Sequence, residues 1–159
     1  MKDSVYIESS VISFLNGRTS RDLIITALQE LTREWWELKR CKYELFVSQS
    51  VIREVSAGAE KDAARRMESI RGLDVLAVDQ EAIVLAEKIK MGANLPDKAT
   101  EDALHIALAT VNEIDYLLTW NCKHIANAII VPKIEGVCLA EGYHCSKICT
   151  PQELMGIEE

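Results

Sequence analysis

The stretch SVYIESSVISFLNG, residues 4–17, decides the fold. Its first part, Ser4 to Ile7, is short, apolar and β-branched, and it is bounded by Glu8-Ser9-Ser10, the signature of a buried strand with a polar end. Val11 to Leu15 then opens a short helix that closes near Asn16-Gly17. The same handover from strand to helix recurs along the chain. Tyr43 to Ser48 reads as a second strand, and Ser50 is positioned to cap a helix over Val51 to Ala57. Ala59 to Arg71 is a further helix stopped by Gly72. Leu73 to Val78 reads as the third strand, after which Asp79 caps a helix running through Met91 to Gly92. Pro96-Asp97 opens the next helix, with Asp97 as its cap and apolar residues at 99, 103, 106, 107 and 111. Tyr116 to Trp120 is a fourth strand ended by Asn121. Pro132 begins a helix that stops near Gly142, and Lys147 to Cys149 is a short last strand.

Between the first two strands, Ser20-Arg21-Asp22 starts a long helix through about Arg40. Its apolar positions Leu23, Ile24, Ala27, Leu28, Leu31 and Trp35 form a helical stripe. Trp35 and Trp36 cannot both face that stripe, which predicts one of them at a partner or neighbouring helix surface. Strands alternating with helices predict one α/β domain over residues 1–159, with a mostly parallel sheet covered on both faces.

The 159 residues are 48% hydrophobic and 27% charged, ordinary values for a globular chain with a real core. No apolar run reaches the ~18 residues of a membrane span, and MKDSVYIESS lacks the form of a secretory signal. The expectation is a cytoplasmic protein without a membrane partner. Five cysteines, an odd number, argue against a disulfide framework. His144, Cys145 and Cys149 lack a second ligand pair at zinc spacing and read as buried or incidental thiols. A net charge of −7 argues against a protein that coats nucleic acid through a broad basic face. It leaves room for an enzyme that meets a few phosphates through metal ions.

Chemistry concentrates at the element ends. Glu8, Glu54 and Asp102 each lie where a strand or turn gives way to a helix, and Asn121 closes a later strand. The carboxyl ends of parallel strands share one edge, where α/β proteins bind ligands. Acids gathered there repel one another and raise one another's pKa unless a cation holds them together. Oxygen ligands with no matching Cys/His cluster favour Mg²⁺ or Mn²⁺ over zinc. Each acid has a plainer reading: Glu8 as a helix N-terminal charge, Glu54 as an exposed ion-pair partner, Asp102 as half of a structural pair. Asp102 is preferred to Glu101 because successive helical residues are ~100° apart and Asp102 lies beside the core stripe of Ile106 and Ala109. Lys123 and His124 are candidate phosphate contacts.

Four of these segments resemble, in order, the motifs of PIN-domain nucleases, specifically the VapC-like toxins of type II toxin–antitoxin modules. YIESSVISFL is similar to the first acidic motif, SQSVIREV to the second, DALHIALA to the third and LLTWN to the fourth. The resemblance implies a three-layer α/β domain and an endoribonuclease dependent on Mg²⁺ or Mn²⁺. It further implies metal ligation by Glu8, Glu54 and Asp102, and an outer ligand or water held by Asn121. Ser10 would bond a carboxylate or phosphate. The implied partners are RNA, a cognate antitoxin and a second copy of the chain. Glu8 stands where the family commonly has aspartate, and Asn121 removes one charge, so a permanent two-metal site is not expected. Other readings are a housekeeping PIN nuclease, a catalytically impaired PIN-like scaffold, and a receiver-like or haloacid-dehalogenase-like phosphotransfer fold. Glu8 is a poor substitute for a phosphorylated aspartate in the last.

Overall fold

The computed structural model describes residues 1–157. Five strands, β1 (Ser4–Ile7), β2 (Glu44–Ser48), β3 (Asp74–Leu76), β4 (Tyr116–Leu118) and β5 (Lys147–Cys149), form one sheet in the order β3-β2-β1-β4-β5. Every pairing is parallel, with Val5 beside Leu45 and Ile7 beside Leu118. The first strand is therefore central, which explains why Val5, Tyr6 and Ile7 are all completely buried. Seven helices flank the sheet: α1 (Ser9–Leu15), α2 (Leu23–Leu38), α3 (Gln49–Val55), α4 (Glu60–Ser69), α5 (Gln80–Gly92), α6 (Thr100–Val111) and α7 (Val131–Ala140). The α1 helix packs on α2, α3 and α4, while α5 packs on α6 and α7. The three-layer α/β architecture expected from the sequence is the one found.

Several local expectations change. Helix α3 is capped two residues earlier than expected: the Ser48 hydroxyl, not Ser50, accepts the Val51 N–H at 3.1 Å. Ser50 instead donates to Glu101 at 2.9 Å. The chain reverses after α5 at Asn94, in the left-handed region at φ 53°, rather than at Gly92. Gly92 is needed for closeness, because a Cβ there would lie 2.3 Å from the Val137 side chain of α7. Asp97 makes no cap; it pairs with Lys90 at 2.7 Å and begins a single 3₁₀ turn ahead of α6.

The stripe assigned to α2 is the largest departure. Leu23 and Ile24 are 84% and 73% exposed, and the buried face carries Gln29, Thr32 and Trp35. Hydrogen bonds draw the two polar residues inward: Gln29 Nε2 donates to the Arg18 carbonyl at 2.9 Å, and Trp120 Nε1 donates to Thr32 Oγ1 at 2.7 Å. Of the adjacent tryptophans, Trp35 is wholly buried and donates to the Leu154 carbonyl, whereas Trp36 lies half-buried under the Arg40 guanidinium.

Candidate active site

The ends of β1, β2 and β4 and the starts of α1, α3 and α6 meet at one edge of the sheet. Glu8 leaves β1 and immediately caps α1, accepting the Ser10 N–H at 3.0 Å. Its other oxygen accepts two hydroxyls, Ser10 Oγ and Thr119 Oγ1, each at 2.5 Å. Only 4% of Glu8 is exposed. A carboxylate so far from water is tolerable because three donors replace its hydration. Thr119 comes from the residue after β4, so Glu8 is held by a segment 111 positions away.

Glu54, on the last turn of α3, accepts the Ser9 hydroxyl at 2.8 Å and faces Nε2 of His105 in a very close contact. His105 is wholly buried on α6, and its other nitrogen meets the Tyr6 hydroxyl at 2.7 Å. Tyr6 in turn bonds Ser48 at 2.7 Å. Burial alone would depress the imidazole's pKa. It is outweighed by the hydrogen bond to Glu54 and by the charges of Glu8, Glu54 and Asp102, so the pKa is raised. Burial likewise works to raise the pKa of Glu54, but the bond to His105 and its charge, with Ser9 and Arg53, bring it below the usual value. Tyr6 is pushed far up, mainly by burial, and stays protonated.

Asp102, in the first turn of α6, lies 3.1 Å from Nδ1 of His124. Its neighbour Glu101 turns away to Ser50 and Arg53, the latter at 2.7 Å. Asn121 follows β4; its side-chain oxygen accepts the His124 N–H at 3.0 Å and so orders the loop that presents His124 to Asp102. Lys123 is exposed on that loop. Of the residues singled out in the sequence, Glu8, Ser10, Glu54, Asp102, Asn121 and His124 thus share this edge of the sheet.

The donor set is of hard oxygens, as Mg²⁺ or Mn²⁺ requires. Glu54 Oε2 and Asp102 Oδ1 accept no hydrogen bond among the described residues. Hydroxyls, the Ser10 backbone N–H and two imidazoles occupy the remaining carboxylate oxygens. Among the described residues no group of three or more His, Cys, Asp or Glu side chains is arranged to hold a metal ion. The five cysteines are free, with Cys138 and Cys149 buried.

The family profile of the PIN domain matches residues 5–123, from β1 through the loop after β4. The chain belongs to the PIN domain family. PIN domains are generally nucleases, and those nucleases typically use divalent metals. No curated protein matches this PIN domain. Among solved structures, it is similar to VapBC2 from Rickettsia felis bound to a DNA fragment from their promoter. The identity is 12% and the TM-score 0.49, over 75% of this chain and 88% of that one.

Four contributors to the PIN site escaped sequence reading: His105, Tyr6, Ser48 and Thr119. His105 and Tyr6 lie inside apolar runs, Leu104 to Ile106 and Val5 to Ile7, where a polar group has no period of its own to reveal it. Thr119 carried a usable signal, a hydroxyl one residue beyond a buried strand on the same edge as the acids.

Proposed function

We propose that this PIN domain is a Mg²⁺- or Mn²⁺-dependent endoribonuclease and the toxin of a type II toxin–antitoxin module, inhibited by a cognate antitoxin. The observation that carries the reading is the convergence of Glu8, Glu54 and Asp102. They come from the end of β1, the last turn of α3 and the first turn of α6, at the carboxyl edge of a parallel sheet, where Glu54 meets the buried His105 and Asp102 meets His124. The family's usual chemistry and the four ordered motifs support the same reading. Glu8, Glu54 and Asp102 would hold the ion, after giving up some of the hydrogen bonds that occupy their oxygens here. When bound, it would supply an activated water and neutralise charge developing on the scissile phosphate.

The chain's own groups prepare that chemistry. Ser10 and Thr119 fix Glu8, so that one buried charge stands at the centre of the edge. Asn121 orders the loop bearing Lys123 and His124, and Lys123, exposed on that loop, would meet a phosphate of RNA. A net charge of −7 confines attraction for RNA to such local points.

A second reading, a PIN-like module that binds without cutting, is favoured by the hydroxyls and imidazoles that already satisfy much of the carboxylate surface. One experiment separates the two. Purified antitoxin-free protein is incubated with total RNA over a range of Mn²⁺ concentrations and with EDTA. Metal-dependent cleavage is expected, and protein inert at every concentration on varied RNAs would overturn the nuclease reading.

A further inference from the structure

We propose that Cys138 and Cys145 form a reversible disulfide, a modification site that ties the end of α7 to the segment entering β5, with a low-molecular-weight disulfide as the oxidant. The inference is independent of the nuclease reading and of the acidic edge of the sheet.

Its basis is the chain reversal that follows α7. Cys138 lies in the last turn of that helix, and the chain turns back over it. The Tyr143 N–H donates to the Cys138 carbonyl at 2.8 Å and the Gly142 N–H to the Leu139 carbonyl at 3.1 Å, with Gly142 in the left-handed region at φ 86°. That return lays Cys145 against the helix end. The two thiols share a hydrogen bond, and the Thr110 hydroxyl of α6 bonds both, standing 4.0 Å from the Cys145 sulfur. Sulfurs so placed need little movement to join. Buried thiols are ordinarily inert, but this pair is asymmetric. Cys138 is wholly buried, whereas Cys145 is half-buried and lines an open cleft of about 260 Å³ beside His144 and Lys147. The hydrogen bond from Cys138 draws the Cys145 thiol below the usual thiol value, against burial, and Thr110 adds to the effect. Cys138 is pushed up by the same bond and by burial. One sulfur is thus reachable and nucleophilic, and the other is sheltered directly behind it. In the exchange, the Cys145 thiolate attacks one sulfur of the small disulfide, whose S–S bond breaks and releases one half as a thiolate that takes up a proton. Cys138 then loses its proton and attacks the Cys145 sulfur, expelling the second half in the same way. The protein loses two electrons and two protons, and the small disulfide gains both to become two thiols. Excess thiol reverses the sequence.

The test uses the full chain carrying Cys41→Ser and Cys122→Ser, which removes the two exposed thiols. Reduced protein is treated under native conditions with hydroxyethyl disulfide, quenched with acid, alkylated and digested with trypsin. Both cysteines of the pair fall on the peptide 134–147. That peptide is expected to escape alkylation and to be lighter by two hydrogens than its dithiol form, and dithiothreitol should restore it. A further Cys138→Ser should stop the reaction at a mixed disulfide on Cys145, and Cys145→Ser should leave Cys138 unmodified. The oxidised chain should melt about 5 °C above the reduced one, a shift absent from both serine variants. Should a serine variant fail to fold, the peptide mass and melting of the intact pair decide the matter. A pair that stays reduced, that stops at the mixed disulfide, or that bonds to Cys149 instead would overturn the proposal. Equal melting of oxidised and reduced protein would overturn the tie between α7 and β5.

Discussion

Asp102 keeps one oxygen on His124 and the other free of hydrogen bonds among the described residues. Asp102→Asn preserves the shape and an acceptor for His124 while removing a charge from among Glu8, Glu54 and Glu101. Relief of repulsion offsets the weakened pair, so stability should stay within about 1 kcal/mol of wild type. Cleavage should fall at least about a hundredfold if Asp102 holds the ion. Melting and RNA cleavage on one preparation measure both, and full activity would remove Asp102 from the site. The Glu54–His105 pair makes a pH prediction. Glu54 has its pKa lowered from 4.5, so its contribution is complete above 4.5 and disappears as pH falls through the lower folded value. His105 has its pKa raised from 6.5, so its contribution is complete below 6.5 and disappears as pH rises through the higher folded value. The melting difference between wild type and Glu54→Gln should therefore be largest between pH 4.5 and 6.5 and shrink on either side. A difference constant from pH 3 to 9 would contradict the pairing. At this scale Glu8 was legible, because a charged residue ending an apolar strand is conspicuous, whereas Glu54 falls on the last turn of α3 and not, as expected, near its start. His105 was not, since only burial between two elements reveals what an isolated polar residue in an apolar helix does.

Ser48 shows how much one side chain can do for an element. It ends β2, caps α3 and bonds Tyr6. Ser48→Ala removes a cap and one partner of a buried phenol, which retains His105. A loss of about 1–2 kcal/mol is expected from urea unfolding. A change below about 0.3 kcal/mol would mean the cap is replaced by water or by a shifted helix start. Element types and order were readable because β-branched runs and helical stripes alternate so regularly. Element ends were less so. Ser48 and Ser50 are equally good caps on paper, and the choice between them depends on Glu101, 51 residues from Ser50, which claims the second serine. The α2 face was misjudged for a related reason. Leu23 and Ile24 suggest burial, but the partners of Gln29 and Thr32, the Arg18 carbonyl and the Trp120 indole, lie outside the helix.

For the molecule as a whole, a bound ion should act as a stabiliser. If Mn²⁺ binds only the folded chain, a free concentration one hundred times its Kd adds about 2.7 kcal/mol. For a domain of this size that is a rise in melting temperature of roughly 5–10 °C. The rise should vanish in the Glu8→Gln, Asp102→Asn double variant, and equal melting in EDTA and in millimolar Mn²⁺ would remove the main support for a metal site. The parallel α/β class was legible from the alternation of elements. The strand order was not, because nothing in the local sequence states that the first strand will lie between the second and the fourth.

That order governs when the site can exist. β1 is the first strand to leave the ribosome, yet one of its two neighbours is Tyr116–Leu118, and Glu8 finds its Thr119 hydroxyl only 111 residues later. At ordinary rates of synthesis the wait is on the order of ten seconds. Throughout it, the nascent chain has acids but no edge on which to assemble them. If the chain cleaves RNA as proposed, a polypeptide ended before Thr119 would lack both the β4 neighbour of β1 and the hydroxyl that holds Glu8, and would be expected to lack that activity.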